Sequence, residues 1–486
     1  MEDINKNSTI SYEEENLNHN PDLSNENKDI NLGIMTPKQV SVTVQNELKA
    51  NLFQISRTTR YYIYTLELLC LLNFDQGAIS ASSKEIKIFF KMTDRELGSF
   101  GGISFLGTTL GGIFSLSIIN QINRKYIILS LIIVSICSLY FPTIISSKLF
   151  FIFCRILTGF SQSFMSIYLP VWIDQFGIYK RKSLMLSIIS IPNAFGYLLG
   201  NILAVFTSWR TTFRINAIMG FCLFIGFFLN KNIYFSKSII PIKKANNIKK
   251  NIDEISMFED VALTSNVYQN QSLINNTIKC FKSKLFRYMS LAIISIFFIL
   301  SGLQFWVNDF FENALYIIDK KQRLLSFAII IIFTALVAPI TGGLIMQKLG
   351  GYDSNRVIYL PFCCCILSLC FSNLMLFYGN KYYILILLEL YLFSGTIIIP
   401  CLNGILISNM SKELAGSVSA ISNLLYNICG RLIGPYFYGV ARSIFDKHSR
   451  LPMIILFDMK LVTALCLYKS FKYRKTQNKK NEKNYK

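Results

Sequence analysis

Apolar residues along the chain fall into about twelve stretches long enough to cross a bilayer, separated by polar segments. The first six stretches cover residues 61–82, 98–119, 126–146, 149–172, 183–206 and 213–235. The second six cover residues 287–309, 324–347, 357–377, 381–409, 414–442 and 452–469. This 6+6 pattern predicts an all-α polytopic membrane protein with twelve transmembrane helices in two six-helix bundles around a central path.

The polar segments complete the predicted domain organisation. We expect a disordered N-terminal extension, an N-terminal bundle, a basic linker, a C-terminal bundle and a lysine-rich tail, at residues 1–60, 61–235, 236–284, 285–470 and 471–486. The basic loops, the linker and the tail lie on one side if both termini are cytoplasmic, since cytoplasmic loops carry the excess of lysine and arginine. The sequence leaves open a plasma membrane or an acidic, lysosome-like organelle.

Composition narrows the class of protein. The mean hydropathy is +0.41, and the formal charge of +21 lies mostly in loops and tail, where it sets topology rather than binding nucleic acid. The 12 cysteines show neither disulfide nor zinc spacing. No Walker A sequence, GxSxG, HExxH or dinucleotide fingerprint is present. We therefore predict a protein that is not an enzyme and that binds no cofactor or metal.

Arg155 lies near the middle of the stretch 149–172. An arginine at the bilayer centre costs about 2.5–3.5 kcal/mol on insertion scales, so it is expected to face a protein interior or a wet cavity. Positions at helical spacing from it carry small and polar side chains, including Gln162 and Ser163. This pattern favours the cavity-lining helix of a transporter, and the alternative is an arginine that holds a helix interface together.

A second polar stripe lies in the eleventh stretch, where Asn423, Asn427 and Arg431 follow one another at intervals of four residues. An arginine in each bundle predicts a positive central cavity that suits an anionic group. The predicted substrate-binding residues are Arg155, Gln162, Ser163, Asn423, Asn427 and Arg431. Structural salt bridges of these arginines with Asp75 or Glu389 are the alternative.

Asp75 lies in the first stretch, within the run Leu72–Gly77. A carboxylate inside a membrane span is expensive unless it is paired or takes up a proton. We therefore predict Asp75 as a proton-coupling acid. The alternative is that Asp75 caps the span at the membrane interface.

Several motifs resemble the major facilitator superfamily and, within it, the spinster-type lipid transporters. Residues 116–125 are similar to the superfamily's G-x-x-x-D-R-x-x-R-K loop in their basic pair, Arg124 and Lys125. Residues 155–163 and 170–176 resemble the spinster R-x-L-x-G-x-G-E-A and P-x-x-I-x-D-x-F motifs, the second with Asp174 on its acid. Asp75 falls on the spinster acid of the first span.

The resemblance implies an alternating-access transporter, a symporter or antiporter for an anionic or zwitterionic amphiphile such as a lysophospholipid or sphingolipid. It implies gating roles for Arg124, Lys125 and Asp174. Where the spinster pattern has a glutamate, a histidine and an aspartate, this chain has Gln162, Asn427 and Arg431, which leaves Asp75 alone to couple transport to protons. A carrier of a small organic anion, sugar or drug-like solute, and a non-transporting receptor or scaffold, are the alternatives.

Overall fold

The computed structural model describes residues 37–118, 122–176, 185, 188–231, 235, 277–349, 358–377, 379–408, 415–446 and 448–484. The regular structure within these ranges is helical, and the first bundle contains α1 (Pro37–Phe89), α2 (Asp94–Ile118), α3 (Arg124–Tyr140), α4 (Lys148–Phe176), α5 (Ser190–Phe206) and α6 (Trp209–Leu229). The second bundle contains α7 (Lys284–Asp309), α8 (Lys320–Ile332), α9 (Ala338–Lys348), α10 (Tyr359–Phe377), α11 (Lys381–Ser408), α12 (Ala415–Leu425), α13 (Ile433–Ile444), α14 (Leu451–Asp458) and α15 (Lys460–Asn484).

Three of the membrane spans in the second bundle are interrupted. The π-helical turn Phe333–Val337 joins α8 to α9, the π-helical turn Tyr426–Arg431 joins α12 to α13, and α14 meets α15 at Met459. Each interrupted pair forms one span, so the second bundle has six spans like the first. Nine helices within the described ranges are long and apolar enough to cross a membrane by composition alone. The predicted twelve-helix, 6+6 architecture is confirmed.

The two ends of the helical region differ from the prediction. Helix α1 begins at Pro37, so the backbone of residues 37–60 is helical where we expected disorder. Proline is favoured at the first helical position, and no proline or glycine follows it before residue 61 to end the helix. Helix α15 likewise continues through most of the predicted tail. Residues 1–36 and 236–276 lie outside the described ranges.

The chain divides into the compact units Met1–Ser56 and Arg57–Lys486, and helices α2 to α15 lie in the second. Within it, glycines let α4 lie against α2. A Cβ on Gly159 would stand 1.8 Å from the Ser104 carbonyl oxygen, and one on Gly107 would stand 1.9 Å from that of Ile156. Such close backbone contact between small residues is a common way to pack membrane helices. It holds Arg155 of α4 beside the neighbouring helices.

The two bundles contact each other at the end where α1 ends and α2 begins. Ser80 donates a 2.7 Å hydrogen bond to the Gln304 carbonyl, and Lys84 forms a 2.6 Å ion pair with Glu312. A Cβ on Gly98 would lie 2.5 Å from the Pro435 carbonyl oxygen. The structure is therefore closed at this end, which is the extracytoplasmic end if the N-terminus is cytoplasmic.

Candidate functional site

Arg155 forms a buried ion pair with Asp75 in the first bundle. Its Nη1 donates to the Asp75 carboxylate, and each residue is only 1% exposed. Arg155 Nη2 also donates to Gln76 Oε1 at 3.2 Å. Of the two interpretations of Arg155, the structure shows the salt bridge, and Asp75 lies inside the bundle rather than capping the span.

Gln162 completes this cluster from a position seven residues, about two turns, after Arg155 on α4. Its Nε2 donates to the second Asp75 oxygen at 3.0 Å and to the Leu72 carbonyl. Gln76 in turn donates to Ser104 of α2 at 3.0 Å. The cluster thus joins α1, α2 and α4, and both Asp75 oxygens accept hydrogen bonds. Sequence reasoning missed Gln76 and Ser104, although Gln76 directly follows Asp75 in the chain.

The surroundings of Arg155 leave it dependent on Asp75. Its Nε is buried with no hydrogen-bond partner in the described part of the chain. The Phe100 ring lies 5.8 Å from the guanidinium carbon, which is a weak contact beside an ion pair. Protonation of Asp75 would remove the counter-charge and turn one acceptor oxygen into a donor, so it would weaken the hold of this cluster on the arginine.

Arg431 lies in a different environment, on the π-helical turn between α12 and α13. Its guanidinium carbon is 4.5 Å from the Phe297 ring centroid, 5.2 Å from that of Tyr426 and 5.5 Å from that of Phe105. We call these three rings the aromatic cage. Phe105 belongs to α2, so the cage is built from both bundles. Within the described ranges no side chain forms an ion pair or hydrogen bond with Arg431, and its contacts are with aromatic rings.

Two asparagines precede Arg431 on the predicted stripe. Asn427 Nδ2 donates to Asn423 Oδ1 at 2.7 Å. Asn427 is buried, and its Oδ1 has no partner among the described residues. A buried amide oxygen without a partner costs free energy unless a ligand or water donates to it. The stripe therefore offers one acceptor and one cation on neighbouring turns.

Helix α2 separates the two arginines. Phe100 and Ser104 face Arg155 and its cluster, whereas Gly102 and Phe105 face the second bundle. These positions lie on two faces of one helix, in agreement with the helical period of 3.6 residues. The predicted substrate-binding residues are thus divided between two places. Arg155 and Gln162 belong to the hydrogen-bonded cluster within the first bundle, whereas Arg431 lies without a counter-ion among the described residues at the junction of the two bundles.

The remaining predicted residues lie elsewhere. Ser163 donates to the Phe160 carbonyl at 2.8 Å and is buried against Gly111 of α2. Lys125 Nζ donates to the carbonyls of Phe228 and Asn230 at 2.8 and 2.5 Å, at the end of α6. Arg124 is partly buried at the start of α3, and the side chain of Asp174 lies outside the described residues. The structure does not bring Ser163, Arg124 or Lys125 to the two arginines.

A buried lysine in the second bundle was missed. Lys460 is 3% exposed, and its ammonium lies 4.2 Å from the Tyr391 ring centroid. A Cβ at Gly395 would stand 2.4 Å from Lys460 Nζ, so the amine lies directly over this glycine. Glu389 has both carboxylate oxygens buried without a hydrogen-bond partner in the described ranges. A lysine in the middle of the stretch 452–469 was the available signal.

Two six-helix bundles with charged groups buried within the spans are the architecture of many membrane transporters. The family profile described as Major Facilitator Superfamily matches residues 68–435. The chain belongs to the major facilitator superfamily. No curated protein sequence matches it.

Solved structures agree with this fold. A bacterial homologue of the human lysosomal transporter Spinster, in an inward-facing and unoccupied conformation, matches with a TM-score of 0.67 and 15% identity over 85% of this chain and 97% of that one. The D-xylose-proton symporter matches with a TM-score of 0.62 and 15% identity over 86% of this chain and 97% of that one. The nucleoside transporter NupG matches with a TM-score of 0.60 and 12% identity over 84% and 98%. The predicted superfamily is confirmed, and the spinster-like resemblance is supported at the level of the fold.

Proposed function

We propose that this protein is a proton-coupled secondary transporter that moves an anionic or zwitterionic, lipid-like amphiphile by alternating access. The observation that carries the proposal is Arg431, a cation without a counter-ion in the described structure, enclosed by the aromatic cage. Such a site offers a cation to an anionic head group, and it offers apolar ring faces to the hydrocarbon tail of the same ligand. A lysophospholipid or sphingolipid-like molecule combines these two features.

The position of the cage at the junction of the bundles supports a role in alternating access. Phe297 and Tyr426 belong to the second bundle and Phe105 to the first. When the bundles rock, Phe105 moves relative to the other two rings, and the cage opens or closes around Arg431. Substrate bound to Arg431 would therefore favour one arrangement of the bundles over the other.

The Asp75–Arg155 cluster supplies the proposed proton coupling. Asp75 accepts hydrogen bonds from two residues of α4, so the charge of one carboxylate fixes the contact between α1 and α4. Proton uptake by Asp75 would weaken both contacts and change the packing of α1, which carries the interbundle contacts of Ser80 and Lys84. The proton would thus act on the contact between the bundles without touching the substrate.

Uptake of a labelled lysophospholipid by proteoliposomes tests the proposal, with and without an imposed pH gradient. We expect uptake above that of empty liposomes, loss of uptake in Arg431→Gln, and partial activity in Arg431→Lys, which keeps the charge but not the planar fork. Asp75→Asn should abolish dependence on the gradient while sparing exchange. Uptake that is unchanged in Arg431→Gln would contradict the proposed site.

A second experiment tests whether the transported substrate is a lipid or belongs to another class. Small organic anions, a pentose and a nucleoside are offered to the same proteoliposomes. Transport of one of these with no lysophospholipid uptake would contradict the amphiphile, while a dependence on Arg431 would still support an anion site.

A further inference from the structure

A groove of about 520 Å³ lies on the surface of the first bundle, where α1, α5 and α6 meet. Its walls are apolar side chains of predicted membrane spans, and several are exposed: Ile191 by 42%, Phe195 by 53% and Met219 by 41%. Apolar side chains exposed on membrane spans are the surface that lipid covers. The groove is therefore expected to hold acyl chains.

One lining residue does not fit an acyl chain. Glu67 is the single charged residue that lines the groove, and its side chain is exposed. No described residue forms a hydrogen bond or ion pair with it. Glu67 follows the start of the predicted span at residue 61 by six residues, which corresponds to about 9 Å along the helix. A lone carboxylate facing lipid at this depth requires a cationic partner or neutralisation.

The geometry of α1 directs this carboxylate toward the headgroup region. Side chains on a helix lean toward its N-terminus, and α1 enters the membrane from the end at which α6 leaves it. Arg60 lies seven residues before Glu67, on the same face of α1, and is exposed. Arg60, which can bind an anion, thus lies nearer the interface, and Glu67, which can bind a cation, lies within the groove.

We propose that this groove binds one phospholipid whose headgroup carries a primary ammonium. The ammonium donates to the Glu67 carboxylate, and an acyl chain packs along Ile191, Phe195 and Met219. A primary ammonium gives charge-assisted N–H···O bonds that a quaternary ammonium cannot give. A headgroup without a cation would place its own negative charge near Glu67. This site lies apart from Arg431 and does not depend on which substrate is transported.

Native mass spectrometry of the full-length protein tests the site after reconstitution with equal amounts of phosphatidylethanolamine, phosphatidylcholine and phosphatidylglycerol. We expect the wild type to retain one phosphatidylethanolamine in preference to the other two lipids by about tenfold or more, the size of one charge-assisted hydrogen bond. Glu67→Gln keeps the side-chain volume and should abolish the preference. Met219→Trp, which fills the groove, should reduce retention of all three lipids.

Glu85→Gln is the matched control, because Glu85 lies toward the other end of α1 and outside this groove; its lipid retention should equal that of the wild type. Equal retention of the three lipids by the wild type would overturn the proposal. So would a preference for phosphatidylglycerol, or a phosphatidylethanolamine preference that survives in Glu67→Gln.

Discussion

Arg155 and Arg431 are two arginines within membrane spans, one in each bundle, and they have opposite surroundings. Arg155 is closed off by Asp75, Gln76 and its own helix, with 1% exposure. Arg431 contacts three aromatic rings and no carboxylate in the described structure. A charge held by a counter-ion stabilises one arrangement of helices, whereas a charge that lacks a counter-ion is available to a ligand. In the proposed function, Arg155 therefore has a structural and coupling role and Arg431 a binding role.

Removal of Asp75 should have the largest effect on stability. In Asp75→Asn, Arg155 stays buried without its counter-ion, so we expect a loss of about 3–5 kcal/mol in the free energy of unfolding. Denaturation in detergent monitored by circular dichroism measures it. The double variant Asp75→Asn/Arg155→Met should recover most of the loss, because it removes both charges. Equal destabilisation of the single and double variants would contradict the paired role.

Arg431→Gln should leave stability nearly unchanged and reduce substrate binding. One charge-assisted hydrogen bond contributes about 1.5–3 kcal/mol, so we expect a rise in Kd of about 10- to 100-fold for the lysophospholipid. Binding titration of the purified protein measures this. A stability loss as large as that of Asp75→Asn would show that Arg431 has a structural partner instead.

Changes in the aromatic cage should have a smaller effect. Phe297→Leu keeps an apolar side chain but removes the ring nearest to Arg431. A cation–π contact contributes about 0.5–2 kcal/mol, which corresponds to a rise in Kd of about 2- to 30-fold. Phe100→Leu is the matched control beside Arg155 and should leave Kd unchanged. Equal effects of the two variants would remove the distinction between the arginines.

The smallest expected effect is that of Lys460→Met. The described residues give this ammonium no carboxylate partner, so the substitution breaks no ion pair and replaces a buried charge by an apolar side chain of similar length. We expect unchanged or slightly higher thermal stability, with an increase of about 1 kcal/mol at most. A clear loss of stability in Lys460→Met would reveal a partner for the amine.

The fold was predictable to a large degree because a membrane span is a local property of the sequence. About twenty apolar residues in a row must form a helix in lipid, since each backbone N–H and C=O must be satisfied within the segment. The predicted bounds of the span 381–409 differ from those of α11 by a single residue. Polar segments carry no such constraint, and there the prediction was wrong: residues 37–60 are helical.

The candidate site was predictable only in its parts. The stripe of Asn423, Asn427 and Arg431 follows from helical spacing and is present, with a hydrogen bond between the asparagines. Ser163 was predicted to belong to the same site, but it packs against α2 instead. The spacing of residues along α4 does not indicate which neighbouring helix covers a given face. Lys460 was missed, since a single lysine in an apolar run has no periodic signal.

The sequence by itself determined the helical class, the 6+6 arrangement and the presence of charged residues inside spans, because these depend on local hydrophobicity and helical period. Only the tertiary structure decided which charges are paired. Asp75 and Arg155 are 80 positions apart in the chain, and no local pattern records that α1 and α4 bring them together. The same holds for Arg431, whose cage contains Phe105 from the other bundle. Pairing is set by helix packing, which only the folded chain contains.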